Sequence, residues 1–137
     1  ITPNENFSGE TEVTVKVSDI EYPSDAASTT FMLTVEAVND APVVVVEASS
    51  QQVTEGSVIT LDASASHDLD NDELTFSWQG PGTIASPTSA ITEVSGLTAG
   101  EHQFTVLVSD GIEAMELGVA VTVTAEETTV VPEEEAQ

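Results

Sequence analysis

The sequence predicts an all-β fold made of β-sandwich modules in tandem, one complete and one partial. Three observations predict it. Apolar and polar residues alternate with a period of two in several short segments, as in strands with one buried face. Gly, Pro, Asn and Asp separate these segments at turn-like positions, and one segment of the chain occurs twice. No segment shows a sustained helical period.

The repeated segment gives the size of the module. Gly9–Asp19 recurs as Gly100–Asp110 at an offset of 91 residues, and seven of the eleven positions are identical. A period of about 90 residues matches the immunoglobulin-like β-sandwich, which takes about 100 residues. The sequence therefore predicts immunoglobulin-like modules, with the two copies of the segment in corresponding strands.

The partial module comes first. Glu12–Ser18 alternates Val with polar residues, and Thr29–Ala37 places Phe31, Leu33 and Val35 at every second position. Two or three strands cannot bury both apolar sets by themselves. We therefore expect these strands to be the end of a module and the chain to be part of a longer protein. The missing strands belong either to the same polypeptide or to a neighbouring chain that supplies them by strand addition.

The complete module follows. Turn residues such as Gly80-Pro81-Gly82 separate its strands. The predicted strands are Val43–Val46, Ser57–Ala63, Leu74–Trp78, Ala90–Val94, Phe104–Val108 and Met115–Val123. The predicted domains are residues 1–38 (C-terminal strands of a first module), 39–42 (linker), 43–125 (second module) and 126–137 (acidic tail or linker).

The charge of the chain limits its partners. It has 25 acidic residues against one basic residue, and its formal net charge is −24. Such a polyanion repels nucleic acid and anionic lipid. It either attracts divalent cations or is suited to high ionic strength, where self-repulsion is screened. No apolar run approaches the roughly 18 residues that span a bilayer, so membrane insertion is not expected. Cysteine is absent, which leaves no disulfide and no thiolate metal site.

An acidic cluster is the strongest local signal for chemistry. Asp68, Asp70 and Asp72 alternate in a predicted loop, and closely spaced carboxylates are the oxygen ligands that calcium prefers. An EF-hand loop is not formed, because Glu73 stands where that loop needs Gly and Gln79 where it needs Glu. The alternative is a solvated acidic turn.

The predicted topology gathers further ligands. Successive antiparallel strands place their loops alternately at the two ends of a sandwich. Asn39, Asp40 and Asp110 therefore fall at the same end as the acidic cluster. Carboxylates crowded there without a basic residue are costly unless a cation lies among them. We expect Ca²⁺ to be bound by Asn39, Asp40, Asp68, Asp70, Asp72 and Asp110. Asp19, in the first module, is expected to be an exposed turn residue.

Two parts of the chain resemble known families. Ile1–Gly9 and Ala37-Val38-Asn39-Asp40-Ala41-Pro42 resemble the closing segment of bacterial cadherin-like tandem repeats. The following part of the chain resembles a polycystic-kidney-disease (PKD)-like domain. The segments that carry this resemblance are Val53–Gly56, Leu61–Ser66, Asp68–Trp78 and Val108–Gly111. The resemblance implies a module of a large extracellular adhesin or of a secreted hydrolase, with calcium at the module junction.

Other candidate residues favour structural roles. Trp78 alternates with Phe76 and Leu74 on a strand where immunoglobulin-like folds bury a Trp, which favours a core position over a ligand platform. His67 and His102 show no partner pattern and are expected at the surface. No nucleophile elbow, phosphate loop or paired histidines occur, and two carboxylates on a module tip do not form a glycosidase cleft. The chain is not expected to be an enzyme.

The sequence therefore predicts a calcium-stabilised structural or adhesive repeat of a large extracellular or cell-surface bacterial protein, in which the ion fixes the orientation of consecutive modules. A polysaccharide- or protein-binding appendage of a secreted hydrolase and a subunit of an extracellular filament are the alternatives. The expected partners are neighbouring immunoglobulin-like modules of the same or another chain, with an extracellular glycan or protein as a further ligand.

Overall fold

A computed structural model describes residues 2–128, and the described chain is all-β. It divides into two compact units, Ile1–Asn39 and Asp40–Gln137. Most of the predicted acidic tail, residues 129–137, lies outside the described residues. Within residues 2–128 there is no helix long and apolar enough to cross a membrane.

The first unit is a two-stranded antiparallel hairpin. Strand β1 (Gly9–Ser18) pairs with β2 (Ala26–Val35) over ten residues, with Val13 opposite Phe31. Side chains of a strand alternate between its two faces, so one face of the hairpin is apolar and the other is mostly polar. Neither face is buried within this unit.

The second unit has two four-stranded sheets. One is ordered β4-β10-β9-β6 and contains β4 (Gln52–Thr54), β6 (Thr75–Gln79), β9 (Gly100–Ser109) and β10 (Ala114–Thr124). The other is ordered β3-β5-β8-β7 and contains β3 (Glu47–Ala48), β5 (Ile59–Asp62), β7 (Thr83–Ile84) and β8 (Ile91–Ser95). All pairs are antiparallel except β4 with β10. The predicted β-sandwich class is confirmed.

The core of the second unit follows the period-two pattern. Ile59 and Leu61 on β5 are fully buried, whereas Val58 is exposed. Trp78 is also buried, and its indole N–H donates to the Ser89 carbonyl at 2.8 Å. The predicted core position of Trp78 is thus confirmed. The buried apolar residues are Ile59, Leu61, Ala63, Trp78, Val94, Leu97, Phe104, Val106, Val108, Val119, Val121 and Val123.

The predicted entering strand at Val43–Val46 is wrong. Only an isolated bridge between Val43 and His67 occurs there, and the first strand of the unit is β3. The reason is that Val45 hydrogen-bonds to the side chain of Ser66 instead of a neighbouring strand, with its N–H donating to Oγ at 3.0 Å. The short strand β7 follows the predicted Gly80-Pro81-Gly82 turn and was not predicted.

Candidate metal centre

The loop between β5 and β6 folds around the carboxylate of Asp68. Asp68 Oδ1 accepts hydrogen bonds from the backbone N–H groups of Asp70 at 2.8 Å and Asp72 at 3.3 Å. Asn71 has a left-handed backbone with φ of 65°, which Asn tolerates better than most residues. Alternating Asp residues with one Asn therefore suit a tight turn that gathers the carboxylates.

The three carboxylates of this loop converge. One oxygen from each of Asp68, Asp70 and Asp72 lies within 4.8 Å of the others. Asp68 is buried, with 8% of its surface exposed, whereas Asp70 and Asp72 are exposed. Asp68 Oδ2 is buried and accepts no hydrogen bond from the described residues. A buried carboxylate oxygen without a partner is destabilising unless a cation or donor satisfies it.

Asp40 is connected to this loop through its backbone. Its N–H donates to Asp70 Oδ2 at 2.7 Å, which ties the beginning of the second unit to the loop. Asn39 is the last residue of the first unit. Its role as a ligand, like that of the Asp40 carboxylate, stays a prediction.

Asp110 lies at the same end of the second unit as the acidic loop. The register places Thr75, just after the loop, opposite Ser109, just before Asp110. Asp110 Oδ1 accepts the N–H groups of Ile112 at 2.7 Å and Glu113 at 2.6 Å, so this carboxylate caps its own hairpin. The group of three converging carboxylates does not include Asp110. Its role as a metal ligand stays a prediction.

Ser66 contributes to this end and was not singled out in the sequence. Its Oγ accepts the N–H of Val45 at 3.0 Å and lies 3.1 Å from the Val45 carbonyl, to which it donates. The backbones of Val43 and His67 also bond to each other, at 2.8 and 3.0 Å. These bonds hold residues 43–45 against Ser66 and His67, just before the acidic loop. A Ser in a run of Ala and Ser carries no sequence signal for such a role.

Two other acidic residues act locally in turns. Asp19 is exposed and accepts the Glu21 N–H at 2.8 Å, as expected of a turn residue. Asp62 Oδ1 accepts the Ser64 hydroxyl at 2.6 Å and the Ser64 N–H at 2.8 Å. These bonds favour the charged form and lower the pKa of Asp62 below its ordinary value.

Comparisons with solved structures agree with the sandwich fold. A nucleoside hydrolase-related hypothetical protein from Saccharophagus degradans, associated with carbohydrate metabolism, is similar at 24% identity and a TM-score of 0.50, over 66% of this chain. The chain spans only 26% of the length of that protein. This likeness shows the fold alone. No curated protein matches the sequence.

Two further structures are similar with lower TM-scores. The PKD domain from KIAA 1837 protein, solved in solution, matches 72% of this chain and 99% of its own length, at 18% identity and a TM-score of 0.49. The endo-fucoidan hydrolase MfFcnA4 of glycoside hydrolase family 107 matches 88% of this chain and 19% of its own length, at 22% identity and a TM-score of 0.46.

A family model gives the classification. The model of the K319L-like PKD domain matches residues 48–124, which begin at the last residue of β3 and end with β10 of the second unit. PKD domains are non-catalytic modules, typically extracellular, and are typical of adhesive proteins and of appendages of hydrolases. The chain belongs to the K319L-like PKD domain family.

Proposed function

We propose that the chain is a calcium-stabilised structural or adhesive module of a large extracellular bacterial protein. The ion is bound by Asp68, Asp70 and Asp72, with Asn39, Asp40 and Asp110 as candidates for the remaining ligands. The convergence of the three carboxylates carries the proposal. One oxygen from each lies within 4.8 Å of the others, and Asp68 also has a buried Oδ2 without a partner among the described residues.

The chemistry of the group favours calcium over other common metal ions. All three side chains offer oxygen, without the imidazole or thiolate ligands that zinc prefers. Two of the three carboxylates are exposed on a loop. Calcium accepts six to eight oxygens in flexible geometry, whereas magnesium demands near-ideal octahedral geometry and retains its waters. A surface loop with several carboxylates therefore suits calcium better.

The proposed role of the ion is to stabilise one end of the module. It offsets the repulsion of the carboxylates and supplies the partner that Asp68 Oδ2 lacks among residues 2–128. The bond from the Asp40 N–H to Asp70 Oδ2 connects the beginning of the unit to the same loop. Binding is therefore expected to stiffen this segment together with the loop. That the ion also fixes consecutive modules stays a prediction from the sequence.

Thermal unfolding in calcium and in chelator tests the proposal. A ligand that binds only the folded state stabilises it by about 2.7 kcal/mol at a hundredfold excess over Kd. We expect the melting temperature in low-salt buffer to rise with calcium, and to rise less with equimolar magnesium. Asp70→Ala should abolish most of the shift. Asp25→Ala, which removes the same charge from the first unit, should retain it. Identical melts in calcium and chelator would contradict the proposal.

A further inference from the structure

Strand β10 has a long edge beside which no other described strand lies. Strand β9 pairs with one side of β10, and β4 pairs with the other side only over Thr122–Thr124. Along residues 114–121 that second side has no neighbouring strand among residues 2–128. An open edge of this kind presents backbone N–H and C=O groups to which a further strand can bind.

The apolar face of β10 is also uncovered along this edge. Met115 and Leu117 lie on the same face as the buried Val119, and they pair with Val108 and Val106, which are fully buried. Met115 is nevertheless 47% exposed and Leu117 42% exposed. A strand added to the open edge would bring further apolar side chains beside these two residues.

The backbone of β10 determines which residues an added strand would face. The Thr122 N–H donates to the Gln51 carbonyl at 2.8 Å, and the Thr124 carbonyl accepts the Glu55 N–H at 2.9 Å. Because these directions alternate along a strand, the even-numbered residues of β10 direct their backbone groups to the open edge. Glu116 is one of them, and its side chain lies on the polar face of β10.

Strand β1 has an open edge of the same kind. In the 91-residue repeat it is the copy of β9, and the first residues of the two strands, Gly9 and Gly100, have φ of 134° and 136°. The even-numbered residues of β9 lie opposite the odd-numbered residues of β10, so the odd-numbered residues of β9 direct their backbone groups away from β10. The odd offset assigns the open edge of β1 to its even-numbered residues. Lys16, the only Lys or Arg of the chain, is one of them.

One antiparallel register between these two edges places Lys16 directly opposite Glu116. It brings the apolar residues of both strands to one face and places no carboxylate opposite another. In this register the facing residues are Glu12 with Ala120, Val13 with Val119, Thr14 with Gly118, Val15 with Leu117, Lys16 with Glu116, Val17 with Met115, and Ser18 with Ala114. A shift by one residue turns the apolar residues of β1 to the polar face, and a shift by two separates Lys16 from Glu116.

We propose that strand β1 of one copy of this chain pairs with the open edge of β10 of a second copy, antiparallel and in this register. The second copy supplies a strand with an open edge, an apolar face and the one basic side chain that complements Glu116. The net charge of −24 opposes the contact at low salt, so association requires salt that screens this repulsion. The contact does not involve the acidic loop, and tests in chelator keep it separate from the calcium proposal.

Disulfide formation between two single-cysteine variants tests the register, because the chain has no cysteine of its own. Thr14→Cys is mixed with Gly118→Cys, where an added Cβ meets no atom beyond its chain neighbours nearer than 3.5 Å. In chelator and about 1 M NaCl, where the Debye length is about 3 Å, we expect the mixed disulfide dimer to dominate, as identified by its mass. Thr14→Cys mixed with Ala114→Cys is the matched control. Ala114 lies on the same face but about 13 Å along the strand, beyond the roughly 7 Å between Cα atoms that a disulfide bridges.

An exchange of charges tests the partner. Sedimentation equilibrium is measured in chelator at the lowest salt concentration at which the wild type associates. Lys16→Glu and Glu116→Lys should each weaken association by about two- to fivefold, and the variant that carries both changes should restore it. Glu93→Lys makes the same change in net charge at an exposed residue of β8, and it should not weaken association.

Three results would overturn the proposal. The first is a wild type that stays monomeric from micromolar to millimolar concentration in about 1 M NaCl. The second is an equal yield of mixed dimer with Gly118→Cys and with Ala114→Cys, which would indicate random collision. The third is a doubly changed variant that associates no better than Lys16→Glu or Glu116→Lys.

Discussion

Replacing Asp68 by Asn should stabilise the second unit in chelator, and saturating calcium should reduce or reverse that gain. Asp68 Oδ1 accepts two backbone N–H groups, and an Asn amide oxygen can do the same. Oδ2 is the buried atom without a partner among residues 2–128, and an amide N–H₂ in its place is neutral and carries donors, beside a pair of carboxylates that each have an oxygen within 4.8 Å of one Asp68 oxygen. Asp68→Asn therefore removes a buried charge and adds a donor.

The magnitude follows from the burial of that oxygen. A buried polar group without a partner costs about 1–3 kcal/mol, and more when it is charged. In chelator Asp68→Asn should therefore be more stable than wild type by about 1–3 kcal/mol. For a domain of this size about 1 kcal/mol shifts the melting temperature by about 4–8 °C. In saturating calcium the wild type is stabilised by the bound ion, whereas the variant has lost one of the ligands. The difference in stability between the two proteins should therefore shrink or reverse.

Circular dichroism melts of both proteins, in chelator and in calcium, give the comparison. Asp70→Asn is the matched control, because Asp70 is exposed and has little to gain in chelator. It should lose the calcium shift without the gain in chelator. The reasoning about the buried oxygen is refuted if Asp68→Asn melts below wild type in chelator, or if it retains the full calcium shift.

Three further predictions concern the scaffold. Trp78→Ala should destabilise the second unit by roughly 3–5 kcal/mol, because it empties a buried site and leaves the Ser89 carbonyl without its donor. Chemical denaturation measures this loss, and a loss below about 1 kcal/mol would contradict the core role of Trp78. Gly82→Ala should reduce the stability of the second unit by about 1–3 kcal/mol more than Gly56→Ala does. Both glycines have positive φ, but only at Gly82 would a Cβ meet the Ser95 carbonyl and Leu97. Equal melting temperatures of the two variants would refute the clash. Because the pKa of Asp62 is lowered in the folded protein, the stabilisation of the fold by this carboxylate is present above the unfolded pKa and is lost as the pH falls through the folded pKa. Ser64→Ala should raise the pKa of Asp62 in an NMR titration. An unchanged titration midpoint would reject the Ser64 hydrogen bond as the cause.

Much of the fold was predictable because it depends on local pattern. Alternation over Ser57–Ala63 predicted a strand with two distinct faces, since side chains of a strand alternate strictly between faces, and the structure shows that Ile59 and Leu61 form the buried one. The repeat placed β1 and β9 in corresponding strands. The position of Trp78 followed from its spacing with Phe76 and Leu74, although Phe76 and Leu74 are only partly buried against the core.

The features of the fold and of the candidate site that the sequence did not predict depend on contacts between residues far apart in the chain. Val43–Val46 has strand-like composition, yet the Ser66 hydroxyl and the His67 backbone occupy its hydrogen-bonding groups, and a strand needs a ladder partner. At the candidate site, sequence treated Asp68 and Asp110 as equivalent ligands. The structure distinguishes them, because Asp110 caps its hairpin whereas Asp68 has a buried oxygen without a partner among the described residues. Burial of one oxygen atom leaves no trace in composition or spacing.

The most direct test of the calcium proposal is the structure of a crystal grown in millimolar calcium, with anomalous differences measured to identify the ion. The proposal predicts a calcium peak among Asp68, Asp70 and Asp72, with Asp68 Oδ2 as a ligand at about 2.3–2.6 Å. It would be contradicted by a map without such a peak in which Asp68 Oδ2 accepts a hydrogen bond from a water or from a neighbouring N–H group.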